Sequence, residues 1–530
     1  MPVATRKTGG ERQESADEGG QIGRPLPLRV AFMGARARGV LGAGVEASEA
    51  LDERADALVV GDDARGDVAA AAAGARAAGI PVIGFACGGG PEPWRGHADL
   101  IAGAVGETGE PSTLPMAPPV DVRAFNPSGF LDEGVAGYVA SVRPGARAEG
   151  VQSAMELLGG AARQEPVALR APLEMQARLR FAAGVAPGAE LDLPPAELLE
   201  LLHRRLGVLD HPGLHSSDFA RSGWLVRLCA AGVPVVVAEP SPQLRLLLGV
   251  ELADALAQAG PRDLADLDLR ERLSVALRRQ ALRHHSVVAA WRRLAGVAGI
   301  ALPGPPLVSV IFATRRQEWL EHGMSQIARQ TYEPREVVAA LHGDGFSPDV
   351  ESRVRELAGA PVKIVRVDEE LTLGDALNAG VAVAEGEVVT KMDDDDYYNT
   401  DHLWDLILAL EYSGADLVGK AAEFVYLEDI DVTIRQITSD AETRLAGGGM
   451  MVRRAPLVEL DGWPLRTRGE DLALIRRFLN NGRGIHRIPP HGYILNRHGR
   501  GHTWRPAVDY FLFRSERQWR GLRFDATAID

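Results

Sequence analysis

Four aspartates in succession, Asp393-Asp394-Asp395-Asp396, stand at the end of an apolar stretch containing Val388-Val389 and Met392. Carboxylates crowded at the end of a buried strand repel one another, and a divalent cation is the simplest means of offsetting that repulsion. Side chains along an extended chain alternate with a period of two, so Asp393 and Asp395 point to the same side. That pair offers hard oxygen ligands to Mg²⁺ or Mn²⁺ and leaves positions open for a diphosphate. A charge run by itself is most often a solvated turn. Here the preceding strand, and the helix opening at Asn399-Thr400-Asp401-His402-Leu403, favour a site.

The chain of 530 residues is long enough for two to four domains. A net charge of -14 argues against general binding of nucleic acid. Cys87 and Cys229 are the only cysteines, which excludes a disulfide framework or a zinc cluster. Residues 1–27 are polar and Gly-rich and lack the apolar core of a signal peptide, so a disordered tail is expected there. No apolar run approaches the length of a membrane span. The expected location is cytoplasmic, and peripheral attachment at the inner membrane face is compatible with it.

Strand and helix alternate from Leu28 onward, through Ala57-Leu58-Val59-Val60, a helix over 67–78 and Pro81-Val82-Ile83-Gly84-Phe85. Such alternation indicates a parallel α/β sheet. Gly34, Gly39, Gly42 and Gly44 match neither the dinucleotide fingerprint nor the P-loop and read as a strand-to-helix turn. A second α/β unit runs from about residue 119, with a helix ended by Gly232 and a buried strand after Pro234. Residues 263–294 read as an Arg-rich helical end of this unit, its His284-His285 pair facing solvent. Pro303-Gly304-Pro305-Pro306 marks a linker over 301–306. The expected units are therefore 28–118, 119–300, 307–515 and a C-terminal tail over 516–530.

After the linker, Val308-Ser309-Val310-Ile311-Phe312-Ala313 is a buried strand delivering Thr314, Arg315 and Arg316. Strands over 336–341 and 362–367 follow, then a helix over 373–380 and the strand leading to the acidic run. Ligands of open α/β sheets bind at the carboxyl ends of strands, where Thr314, Arg315, Asp344, Asp393 and Asp395 would converge. The ordered set Val308 to Arg316, Arg329-Gln330-Thr331-Tyr332, Leu377-Asn378-Ala379-Gly380, Met392 to Asp396 and Gly469-Glu470-Asp471 resembles inverting family 2 glycosyltransferases of GT-A fold, over about residues 305–515.

This resemblance implies a nucleotide-diphosphate sugar donor, a UDP-sugar first among them, and Mn²⁺ or Mg²⁺. It places Asp393 and Asp395 at the metal–diphosphate site, with Asp396 beside them and His498 or His502 brought back to the metal. Asn378 and Asp394 fall among the nucleotide-sugar contacts. Asp471 matches the catalytic base, and Glu470 next to it would raise its pKa. Read without the resemblance, Glu470-Asp471 is the acidic first turn of a helix. Gly447-Gly448-Gly449 either lets backbone approach a sugar or forms a flexible loop. The usual Asp-Gly-Ser is replaced by His342-Gly343-Asp344, so recognition of the base would pass to His342 or Asp344. Leu377 stands where the family often has Arg.

Over residues 28–295 the segments Val120 to Pro127 and Ala230-Ala231-Gly232-Val233-Pro234-Val235-Val236 resemble GT-B and spore-maturation-type glycosyltransferases. This implies two Rossmann-like halves ahead of the GT-A domain. Arg227 stands where that family places a ribose-holding glutamate. The sequence thus points to a metal-dependent inverting transferase acting on a glycan, a lipid-linked or a small-molecule acceptor. A homo-oligomer is compatible with it. A non-catalytic nucleotide-sugar-binding scaffold is the alternative. A sugar nucleotidyltransferase ranks last, because no glycine-rich loop follows the first strand after the linker.

Overall fold

The computed structural model describes residues 28–33, 38, 41–42, 45–48, 54–61, 64–86, 98–103, 113–120, 138–143, 146–162, 167–171, 187–188, 199, 202, 205–237, 241–260, 262–436, 444–498 and 507–523. The glycines at 34, 39 and 44, the segment 121–127, Cys87, His502 and the first 27 residues lie outside them.

Two parallel sheets occupy the N-terminal part. The first has six strands in the order Glu46–Ser48, Arg29–Met33, Ala57–Gly61, Val82–Ala86, Leu100–Gly103 and Thr113–Pro115. The second has five, in the order Val235–Val237, Gly207–Asp210, Tyr138–Ser141, Val167–Arg170 and Pro187–Gly188. Ala57–Gly61 of the first sheet is an apolar run buried along its length, as a strand covered on both faces must be, and Gly207–Asp210 of the second is buried likewise and ends on Asp210.

The third sheet positions the site. Its order is Val362–Val367, Arg335–His342, Val308–Thr314, Val388–Lys391, Met450–Arg453, Leu417–Lys420 and Ile485–Ile488. The first four are parallel, and Met450–Arg453 runs antiparallel to both its neighbours. Val308–Thr314 lies between Arg335–His342 and Val388–Lys391, with Ile311 opposite Lys391. The acidic run therefore leaves the sheet beside Thr314. A smaller sheet orders Tyr397–Tyr398, Tyr493–Arg497, Phe424–Leu427, Val432–Gln436 and Ser515–Arg520. The last strand corrects the expected tail from 516. Its alternation of polar and half-buried residues marks an edge strand, and its composition carries too little apolar signal to announce one.

The segment 263–294 also differs from its expectation as one helical end. A helix Leu267–Gln280 and a helix Val287–Ala298 flank a single π-turn, Ala281–His285. Leu273 and Leu277 of the first helix, with Ala281 of the π-turn, share a core with the second sheet. Trp291 and Leu294 of the second helix enter the core of the first sheet, where Trp291 Nε1 donates to Leu41 O at 2.8 Å. Both helices also face the C-terminal domain with charges. Arg292 pairs with Glu411 at 2.5 Å, and Glu271 and Asp268 pair with Arg435 and Arg517. His284 is exposed as expected, but His285 is buried and its Nε2–H donates to Leu247 O at 2.7 Å. The π-turn rotates the second histidine inward. Among the described residues no helix is long and apolar enough to cross a membrane.

Acid acts on this strut through two groups. Burial, with His284 and Arg293 nearby, brings the His285 pKa down to about 4. The unfolded chain then takes up a proton near 6.5 that the folded chain refuses until about 4, so stability falls as pH drops across that window. Burial opposes the charge of Glu271, but His491 (3.9 Å away, too long for a hydrogen bond), Arg435 and Arg517 outweigh it and bring its pKa to about 2. Its contribution is present above the ordinary 4.5 and is lost as pH falls toward 2. The melting midpoint should fall between pH 6.5 and 4, reflecting a His285 term on the order of 3 kcal/mol. In His285→Gln the decline should be shallower across that window when followed by calorimetry.

A candidate active site at the acidic strand end

Lys391, the last residue of its strand, is 4% exposed and points into a nest of carboxylates. Its Nζ lies 3.4 Å from Asp393 Oδ1, 3.4 Å from Glu470 Oε1 and 3.3 Å from Asp471 Oδ2. Burial disfavours the ammonium, but Asp393, Asp471 and Glu470 together hold its pKa well above the usual lysine value. The sequence offered a faint signal for this residue: it is one of only four lysines in a chain whose other basic residues are arginines.

The four aspartates have four different settings. Asp394 is clamped: Thr314 Oγ1 donates to it at 2.5 Å, and Arg316 bonds both its oxygens. Arg316 Nη2 also lies 2.9 Å from Asp395 Oδ2, onto which His498 Nε2 closes at 2.9 Å. Asp396 accepts from Tyr493 Oη at 2.8 Å and from the backbone N–H of Asn496 at 2.9 Å. The side chain of Asp393 is 34% exposed, the most open of the four. Burial and mutual repulsion push Asp393, Asp394 and Asp396 above the ordinary carboxylate range, Lys391 and Arg316 notwithstanding.

Several residues expected in the site are engaged by protein partners. Asp396, expected at the metal, anchors the strand Tyr493–Arg497 to the acidic run. Asp394, expected on the nucleotide sugar, ties the ends of two neighbouring strands together. Arg315 turns away from the acidic run and donates to His342 Nε2 at 2.5 Å and to the carbonyls of Glu369 and Leu371. His342 is buried in that contact, and Asp344 is exposed on the turn beyond. Asn378 spends its amide on the backbone of Trp463, donating to its carbonyl at 2.8 Å and accepting from its N–H at 2.7 Å. Of the two arginines, Arg316 reaches the acidic run and Arg315 reaches His342.

Asp471 sits in the first turn of the helix Glu470–Asn480, behind a left-handed Gly469. Burial raises its pKa to about 7; Glu470 and Asp393 add to the rise and Lys391 opposes it. One oxygen faces Lys391, while Oδ1 is buried without a hydrogen-bond partner. The turn Gly447–Gly449 lies directly against this group. A Cβ on Gly447 would fall 1.8 Å from Asp471 Oδ2, and one on Gly448 would fall 2.6 Å from Tyr398 Oη and 3.0 Å from Asp393 and Asp396. Only glycine lets the backbone pass so near the carboxylates.

A wall of rings borders the site. Trp319 stacks on His498 with centroids 4.7 Å apart, and His322 stands edge-on to Trp319 and to Tyr397. Neither Trp319 nor His322 carried a signal in sequence.

The donor set suits a hard divalent cation. The carboxylates outnumber the cations bonded to them, and Asp393, Asp395 and His498 supply oxygen and imidazole donors. Among the described residues, however, no three acidic, histidine or cysteine side chains already form a ligand cluster. A cation here would complete its shell with oxygens from outside the protein.

Residues 309–480 match the family model described as Glycosyl transferase family 2. No curated protein matches the chain. Among solved structures, residues 1–349 of Staphylococcus aureus TarS in complex with UDP-GlcNAc align at 19% identity and a TM-score of 0.30, over 39% of this chain and 63% of that one. The mannosyltransferase PcManGT from Pyrobaculum calidifontis, in complex with GDP-Man and Mn²⁺, aligns at 20% identity and a TM-score of 0.29, over 37% of this chain and 59% of that one. The chain thus spans less than two thirds of either protein.

Gly448→Ala should lower stability by about 1–3 kcal/mol, the usual cost of overpacking. Its urea midpoint should drop accordingly, whereas Gly304→Ala, with open space around its Cβ, should match the parent.

Proposed function

We propose that the C-terminal part, which carries a glycosyl transferase family 2 domain over residues 309–480, transfers a sugar from a nucleotide-diphosphate donor to an acceptor hydroxyl with inversion. The observation that carries this reading is Asp471: a carboxylate with a pKa near 7, one oxygen held by Lys391 and the other buried and unpartnered. A general base is most effective when its pKa lies close to the working pH.

In this reading the acceptor hydroxyl approaches the Asp471 carboxyl beside the Gly447–Gly448 backbone. Its oxygen bonds to the anomeric carbon as the bond from that carbon to the diphosphate breaks, and its proton passes to Asp471. Lys391 keeps the carboxyl oriented, and Glu470 with Asp393 sustains its basicity. Arg316, fixed between Asp394 and Asp395, offers a permanent positive charge to the leaving diphosphate. Asp393, Asp395 and His498 would hold Mn²⁺ or Mg²⁺, which stabilises negative charge on the departing phosphate. His342 and Asp344 lie at the neighbouring strand end where a base would rest.

The two N-terminal units we read as GT-B-like halves that bind acceptor or serve assembly. Arg227, exposed on the helix Asp218–Ala230, supplies a cation where a ribose would call for a carboxylate.

Calorimetric titration with UDP, GDP and TDP, with and without Mn²⁺, tests the site. One nucleotide should bind only when metal is present, and Asp395→Ala should abolish that binding. Asp471→Asn should retain binding but turn over donor ~10²–10⁴-fold more slowly, the usual worth of a general base. If no nucleotide binds under any metal condition, the transferase reading fails.

A further inference from the structure

Arg279 lies on the helix Leu267–Gln280, which packs with the second N-terminal sheet, yet its guanidinium ends beneath the acidic site. It is 7% exposed and grips Asp405 of the helix His402–Ser413 with two parallel bonds, Nε to Oδ1 and Nη2 to Oδ2, each 2.7 Å. Lys420, fully buried, donates to the same Asp405 Oδ2 and to the carbonyl of His491, both at 2.7 Å. The next residue, Gly492, turns with φ +80°, and a Cβ there would sit 3.2 Å from Arg279 Nη2 and 3.5 Å from Lys420 Nζ. Its carbonyl accepts from Asn399 N–H at 3.0 Å. From this turn springs the strand Tyr493–Arg497, which pairs with Tyr397–Tyr398, holds Asp396 through Tyr493 and Asn496, and leads to His498 on Asp395.

We propose that Arg279 is a positioning residue for the acidic site: it fixes the 491–492 turn through Asp405 and Lys420, and so sets where Tyr493, Asn496 and His498 meet Asp395 and Asp396. The N-terminal part thereby contributes to the site without touching a substrate. Two parallel charge-assisted bonds fix direction as well as distance, which a single ammonium cannot do. The neighbouring pairs, Arg283 to Asp401 at 2.7 Å and Arg292 to Glu411, hold the same helix, and among the described residues neither arginine bonds to the 491–492 turn. The consequence for metal and donor rests on the reading of the acidic run given above; the consequence for the strand does not.

Full-length Arg279→Met, Arg279→Lys and Arg292→Met are compared with the parent by hydrogen–deuterium exchange without metal, by melting temperature, and by calorimetry with UDP and Mn²⁺. Arg279→Met should speed exchange across 491–498 while 308–314 stays protected, and should weaken Mn²⁺-dependent binding by about tenfold, one bidentate contact's worth. Arg279→Lys should recover the melting temperature but not the protection. Arg292→Met should lower the melting temperature without exposing 491–498. Parent-like exchange in both Arg279 variants would overturn the proposal, as would equal exposure of 491–498 in Arg292→Met. If the parent itself binds no nucleotide with metal, the donor reading fails, and the exchange result still decides the role of Arg279. Should Arg279→Met not fold, Arg279→Lys alone carries the test.

Discussion

Everything in the C-terminal domain answers to an excess of negative charge at one strand end. Asp393 to Asp396 leave the sheet beside Thr314 and are joined there by Glu470 and Asp471. Among the described residues, Lys391 and Arg316 bond directly to this group as cations. Buried carboxylates without compensation cost several kcal/mol each, so each oxygen must find a donor, accept a proton or attract a cation. The structure uses all three means. Thr314, Tyr493 and the Asn496 N–H supply donors, Asp471 holds a proton up to about pH 7, and Asp393 stays open to solvent.

The same constraint explains the surrounding polypeptide. Gly447 and Gly448 are required because their backbone must pass within contact of Asp471 and Asp393. Tyr398 and Tyr493 turn buried hydroxyls to the acidic run, Tyr398 accepting the backbone N–H of Asp393 at 2.8 Å and Tyr493 donating to the Asp396 carboxylate. Beneath them a second buried charge cluster, Arg279, Asp405 and Lys420, ties the helix behind the acidic run to the N-terminal strut. Asp405 stays ionised there despite its burial, because Arg279 and Lys420 hold its carboxyl far below the usual range.

The strut itself shows how the two N-terminal sheets join the C-terminal domain. Its first helix shares apolar core with the second sheet, its second helix with the first sheet, and both present charges to the C-terminal domain. A charged contact of this kind specifies orientation more than it stabilises, since the desolvation of each ion offsets much of the attraction.

The sequence by itself determined the alternation of strands and helices, the chain order of the motifs and the acidic run behind a buried strand. These follow from local periodicity and from residue type, which a linear reading captures. It could not say which aspartate does what, because each is defined by a partner far along the chain: Thr314 lies 80 residues from Asp394, Asn496 lies 100 from Asp396, and Arg279 lies 126 from Asp405. Adjacent side chains of one type look alike in sequence and differ only in what the fold brings to them. The places of Asn378 and Arg315 in a pattern do not reveal their partners, Trp463 and His342, which lie 85 and 27 residues away along the chain. Burial and long-range hydrogen bonding, neither of which has a local period, decided the division of labour within the site.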